Sequence, residues 1–218
     1  GAATREAILR LLSDTLSDTK RIQRDDRVLI FFAGHGLTRK LASGRELGYI
    51  VPVDAARDNF SQAISMTHFQ DISEGIGAKH VFFIMDACYS GLALTRAGGS
   101  LAANRQKFLM EVTRRTARQV LTAGGADQQV ADTGPGGHSI FTWTLMQGLS
   151  GRADLDDDGY ITATELAAHV GPSVSALSRQ TPVFGSLAGS QGGEFVFRLK
   201  EKQRYLSADT QQNAPPAI

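Results

Sequence analysis

Three observations predict an α/β layered fold for this chain, with a mainly parallel central sheet flanked by helices. Short, continuously apolar runs alternate along the sequence with stretches of helical periodicity. The runs Arg27–Phe32 (RVLIFF) and His80–Met85 (HVFFIM) are rich in β-branched and aromatic residues, the composition of strands buried on both faces. Each run leads into a glycine-bearing turn with a reactive side chain, as strands do at the ligand-binding edge of an open parallel sheet.

The first element is a helix over residues 5–17. Ile8, Leu12 and Leu16 recur there every four positions, Leu9 and Leu11 broaden the stripe, and Thr4 supplies an N-cap. A strand follows at 27–32, ahead of Ala33-Gly34-His35-Gly36, and Tyr49–Val53 is a short strand closed by Pro52. Residues 67–76 read as a helix capped by Thr67 or Ser65, and the second long strand starts at His80. Gln119–Ala123 is a further strand ending at Gly124-Gly125. Helices are expected over 139–149 and 162–177, and Glu194–Leu199 alternates like a last, edge strand. Residues 1–199 are thus read as one domain, and the polar stretch 200–218 as a tail or linker.

Composition narrows the function classes. The chain has 218 residues, 42% hydrophobic, enough for a sizeable core. Its 23 basic and 22 acidic side chains leave a formal charge of +1, so no long-range attraction to nucleic acid or an anionic membrane is expected. No apolar run approaches the ~20 residues of a membrane span. The first residues lack a basic-then-apolar export signal, so a cytoplasmic location is expected. Cys88 is the only cysteine, which rules out an internal disulfide and leaves its thiol as core filler or chemistry.

His35 and Cys88 follow the two long strand runs at equivalent places, each beside a glycine (Gly36, Gly91). If the strands are neighbours, the two side chains meet at the carboxyl edge of the sheet. A free thiol is only a few per cent ionised at neutral pH, and an adjacent imidazole supplies both a base and a counter-charge for the thiolate. A lone buried cysteine is more often inert. The pair, at matching strand ends, favours nucleophilic catalysis.

Phe32-Ala-Gly-His-Gly36 followed by Asp86-Ala-Cys-Tyr-Ser-Gly91 resembles the two catalytic motifs of caspase-like cysteine peptidases, at a His-to-Cys spacing typical of them. Bacterial metacaspases, also called orthocaspases, are the most similar subgroup. Gly48–Asp54, Val120–Ala123, His138–Thr142 and Gly192–Phe197 extend the similarity over roughly residues 4–199. The resemblance implies Cys88 as nucleophile and His35 as general base. It also implies an oxyanion hole from the backbone N–H groups of Gly36 and Cys88, worth ~3 kcal/mol per donor.

Asp86 lies two positions before Cys88, hence on the same face of an extended strand, with Ala87 pointing away. A carboxylate there favours a substrate Arg or Lys through a charge-assisted contact. Capping of the following turn is the plainer role for this aspartate. Metacaspases often carry Ser where this chain has Ala33, which removes one pocket hydrogen bond. The family's first strand and helix, with a further acidic pocket residue, are expected ahead of Thr4.

Between Leu94 and Arg118 stand Arg96, Arg105, Lys107, Arg114, Arg115 and Arg118 against one acid, Glu111. In the family this segment links the large and small subunit regions, so an Arg-specific peptidase is expected to process itself there. A solvated basic helix is the plainer reading.

Asp154-Leu-Asp156-Asp-Asp158-Gly159-Tyr160-Ile-Thr162-Ala-Thr-Glu165 matches a twelve-residue EF-hand loop. Asp154, Asp156, Asp158 and Glu165 would offer carboxylates, Tyr160 its carbonyl, and Thr162 a direct or water-mediated oxygen. An acidic turn ahead of a helix is the plainer alternative. A structural calcium ion is expected, and no organic cofactor. His68, His80, His138 and His169 lack metal-ligand spacing and receive no role.

The reading is a cysteine endopeptidase cutting protein or peptide substrates after Arg or Lys. Its rivals are a catalytically inactive caspase-fold scaffold and a calcium-responsive interaction module. Oligomeric state is not legible.

Overall fold

The computed structural model describes residues 2–56, 58–88, 105–124 and 134–199, with Cys88 described by its backbone alone. Helix α1 (Arg5–Leu9) is capped by Thr4, whose Oγ1 accepts the Ala7 N–H at 3.2 Å. It continues through a wider π-type turn over Arg10–Thr15. Leu12 is buried and Ile8, Leu9 and Leu16 pack against the core, whereas Leu11 faces solvent.

Strands β1 (Arg27–Ala33), β2 (His35–Lys40), β3 (Glu46–Val51) and β4 (Ile64–Ser65) come next. Helix α2 (Met66–Gly75), strand β5 (His80–Cys88), helix α3 (Arg105–Arg114) and strand β6 (Ala117–Gly124) follow. Helix α4 (Ile140–Gln147), strand β7 (Tyr160–Thr162), helix α5 (Ala163–Leu177), β8 (Val183–Ser186) and β9 (Val196–Arg198) complete the described order. The main sheet runs β1-β5-β6-β8, parallel across the first three strands and antiparallel at β8.

The period-2 alternation of β5 divides the interior into two cores. Val81, Phe83, Met85 and Ala87 face α2, Ile50 and Ile64. Phe82 and Ile84 face α4 and α5, against Phe141, Leu145, Leu166 and Val170. Burial on both faces, expected of both long apolar runs, holds for β5, whose residues 81–87 are all buried. Among the described residues β1 is the outermost strand of this sheet, with Leu29 and Phe31 44% and 47% exposed.

Other elements depart from expectation. β2, β3 and β4 form a separate antiparallel sheet, and β2 carries no apolar run to announce it. The alternating segment near residue 196 does not extend the main sheet: β9 pairs with β7. In the basic stretch 94–118 the solvated-helix reading holds only over part of the described residues. Its described part forms α3 and enters β6, where Arg118 is buried. The Arg118 guanidinium donates to the carbonyls of Ser73 (2.8 Å), Ile76 (2.9 Å), Lys79 (3.0 Å) and Ala117 (3.1 Å). Two of these acceptors, Ser73 in the last turn of α2 and its C-cap Ile76, lie at the helix end whose carbonyls lack intrahelical donors. Residues 94–104 and 200–218 lie outside the described residues. No described helix is long and apolar enough to cross a membrane.

Candidate active site

The site is built on the pairing of β1 with β5. Their parallel register runs from Arg27↔His80 to Ala33↔Asp86, and the Gly34 N–H donates to the Asp86 carbonyl at 3.1 Å. The two chains part there. β1 bends at Gly34 into β2, which opens on His35 opposite Val51, while β5 runs on to Cys88 opposite Gly124. His35 and Cys88 therefore each stand two residues beyond one register pair, at the carboxyl end of two adjacent parallel strands.

Two local expectations need correction. His35 and Gly36 are the first residues of β2 rather than members of a loop, and Cys88 is the last residue of β5 rather than part of a turn. A bulge between Met85 and Cys88 shifts the register against β6 just before the cysteine; bulges re-aim side chains beside functional sites. A Cβ at position 34 would meet the Phe32 ring at 2.9 Å, so the ring would have to shift to admit one.

Asp86 is 5% exposed. On the face of β5 that carries Phe82 and Ile84, its carboxylate meets the first turn of α4. Ser139 Oγ and Thr142 Oγ1 both donate to Oδ2, the latter at 2.5 Å. Oδ1 is buried with no hydrogen-bond partner among the described residues. Sequence reasoning singled out Asp86 but missed these two hydroxyls. They lie inside the His138–Thr142 segment, noted for similarity without any chemistry attached. Ala33, next to Asp86 across the register, is exposed.

A family model described as the caspase domain matches residues 2–204. This chain belongs to the caspase-domain family. That membership indicates a cysteine peptidase with protein substrates. No curated protein matches the chain.

At the other end of this caspase domain, the 154–165 loop brings carboxylate oxygens of Asp154, Asp156 and Asp158 within 4.8 Å of one another. Backbone geometry drives that convergence. Asp157 and Gly159 take positive φ, at 62° and 84°. Asp154 accepts from the N–H groups of Asp158 (3.0 Å) and Gly159 (2.9 Å), and Asp158 accepts from Tyr160 N–H at 2.8 Å. Glu165 turns toward its own helix: Oε2 accepts from the N–H (2.8 Å) and hydroxyl (2.9 Å) of Thr162, forming the capping box of α5. The Arg105 guanidinium pairs with the Asp156 carboxylate. The Tyr160 carbonyl belongs to β7, which holds the loop to β9 through the Ile161↔Phe197 register. Three convergent carboxylates suit a hard cation, so the donor set fits calcium with Arg105 as its competitor.

Three of the histidines set aside stay outside this chemistry. His80 is buried at the start of β5, with Nε2 3.1 Å from the Arg115 carbonyl, and desolvation pulls its pKa down. Desolvation likewise lowers that of His169, which packs against Gly148. His138 is exposed just ahead of α4.

Proposed function

We propose that the chain is a metacaspase-like cysteine endopeptidase that cuts after Arg or Lys, with Cys88 and His35 as its dyad. The β1–β5 register carries this reading, since it sets both motifs at one edge of the sheet. In the reaction, the Cys88 thiol gives its proton to His35 and the resulting thiolate attacks the substrate carbonyl carbon. The oxyanion takes hydrogen bonds from the backbone N–H groups of Gly36 and Cys88. Collapse of the intermediate breaks the peptide C–N bond, and His35 returns its proton to the leaving amine. Water, deprotonated by His35, then cleaves the thioester, releasing the new carboxylate and regenerating the thiol. His35 is exposed at the start of β2.

Asp86 selects the basic side chain before the cut. Its buried Oδ1 lacks a cationic partner among the described residues, and an uncompensated buried charge is costly enough to demand one. Self-processing belongs to the residues ahead of α3, where Arg96 lies; Arg118, buried in β6, is no cleavage site in the folded chain. The 154–165 loop holds a structural calcium ion through Asp154, Asp156, Asp158, Tyr160 and Thr162. Glu165 joins them only by releasing part of its capping bond.

The test is hydrolysis of matched fluorogenic peptides ending in Arg, Lys or Asp by the wild type and Cys88→Ala. Cleavage of the basic peptides alone, lost in the variant, is expected. Turnover by Cys88→Ala, or preference for the Asp peptide, refutes the respective assignment.

A further inference from the structure

Resting on the assignment of Asp86 to the substrate pocket, the geometry points to Ser139 and Thr142 as positioning residues that set how the pocket reads a basic side chain. An ionised carboxylate only accepts, and each of its oxygens offers two lone pairs. Both hydroxyls donate to the same oxygen, Asp86 Oδ2, and so fill its capacity. Each hydroxyl has a single proton, and the direction of donation follows. Ser139 Oγ meanwhile accepts the Thr142 N–H at 2.9 Å, so the three residues form one closed network at the start of α4. Asp86 is left with Oδ1 alone as an acceptor, and that oxygen is buried without a partner among the described residues.

The consequence is chemical. The planar fork of arginine gains its advantage over lysine by donating two parallel hydrogen bonds to the two oxygens of one carboxylate. With Oδ2 occupied, that bidentate arrangement is closed. Asp86 then reads positive charge through one oxygen, which an ammonium satisfies about as well as a guanidinium. Ser139 and Thr142 hold the carboxylate still and, by the same bonds, make the site tolerant of Lys.

The experiment measures kcat/KM on Arg and Lys peptides of otherwise identical sequence, in the full chain. The wild type is expected to cut both within roughly threefold of each other, as befits one shared charge-assisted bond. In Ser139→Ala/Thr142→Val, Oδ2 is free, and the Arg-to-Lys ratio is expected to rise about tenfold, the worth of one added charge-assisted bond. Both absolute rates fall as the carboxylate loosens. Ser139→Thr keeps the hydroxyl and is expected to keep the wild-type ratio. Because Ser139 also caps α4, Thr142→Val alone is the second arm: it is nearly isosteric, spares the cap, and is expected to raise the ratio partway. An unchanged ratio in both variants overturns the proposal, since a purely structural role lowers both rates in parallel. Retained Arg cleavage by Asp86→Asn would instead refute the pocket assignment on which it rests.

Discussion

The Gly34 amide donates to the Asp86 carbonyl oxygen at 3.1 Å, where the strands bearing His35 and Cys88 part company. That bond sets where the two chains diverge. Adding a Cβ at position 34 would press on the Phe32 ring at 2.9 Å. Gly34→Ala is therefore expected to lower stability by about 1–2 kcal/mol, the usual overpacking cost, and to lower kcat more than it raises KM. Unaltered kcat with a normal melting curve would count against the divergence point as an organiser of the site.

A harder clash lies at Gly193, where a Cβ would stand 2.3 Å from the Arg115 carbonyl oxygen. The opposing atom is backbone, and the same stretch is bonded through Gly193 N–H to the Thr116 carbonyl at 3.2 Å. Gly193→Ala is expected to cost about 3 kcal/mol or more, lowering Tm by roughly 6–12 °C in a chain of this size. Differential scanning calorimetry checks it.

Removing the Arg118 guanidinium takes a donor from four carbonyls, of which that of Lys79 keeps the Ala117 N–H at 3.0 Å. Arg118→Met fills similar space without donating, so a loss of about 3–5 kcal/mol in urea unfolding is expected, with an unchanged m-value. A loss under about 1 kcal/mol would mean that water replaces the side chain at the end of α2.

Glu194 links two elements: it accepts from Gln119 Nε2 of β6 at 3.0 Å and from Thr164 Oγ1 of α5 at 2.6 Å. Desolvation raises its pKa, with the two hydrogen bonds opposing, so the folded state holds this proton more tightly than the unfolded chain does. Its contribution to stability is fully present below about 4.3, the unfolded glutamate value, and is lost as pH rises through the folded value. The stability of the wild type minus that of Glu194→Gln is thus expected to decline between pH 4 and neutrality. A flat difference would show that the carboxyl titrates normally.

If the 154–165 loop binds calcium, Arg105 must leave Asp156 first. Millimolar calcium is expected to raise the Tm of the wild type, and to raise that of Arg105→Ala further. Asp154→Ala, which deletes the acceptor of two loop amides as well as a ligand, is expected to abolish the calcium response. Equal responses in wild type and Arg105→Ala would remove Arg105 as a competitor.

Several features were legible before any fold was known because their signal is local. The Thr4 cap and the apolar runs of β1 and β5 depend on neighbours within a few positions. The loop aspartates belong with them, since positive φ at Gly159 and Asx-type bonds from adjacent amides gather them without distant help. Strand β2 was missed for the opposite reason: His35–Lys40 is polar and becomes a strand only through its ladder with β3.

By itself, then, the sequence determined the alternation of elements, the order of the two motifs, and the chemical types at positions 35, 86 and 88. Tertiary structure alone decided that β5 lies between β1 and β6 in the sheet and is buried on both faces. It decided too that Asp86 Oδ2 is taken by hydroxyls 53 and 56 positions away, and that Arg105 reaches Asp156. Sheet order and hydrogen-bond partnership at such separations depend on which faces the whole chain buries together, and no local pattern encodes that choice.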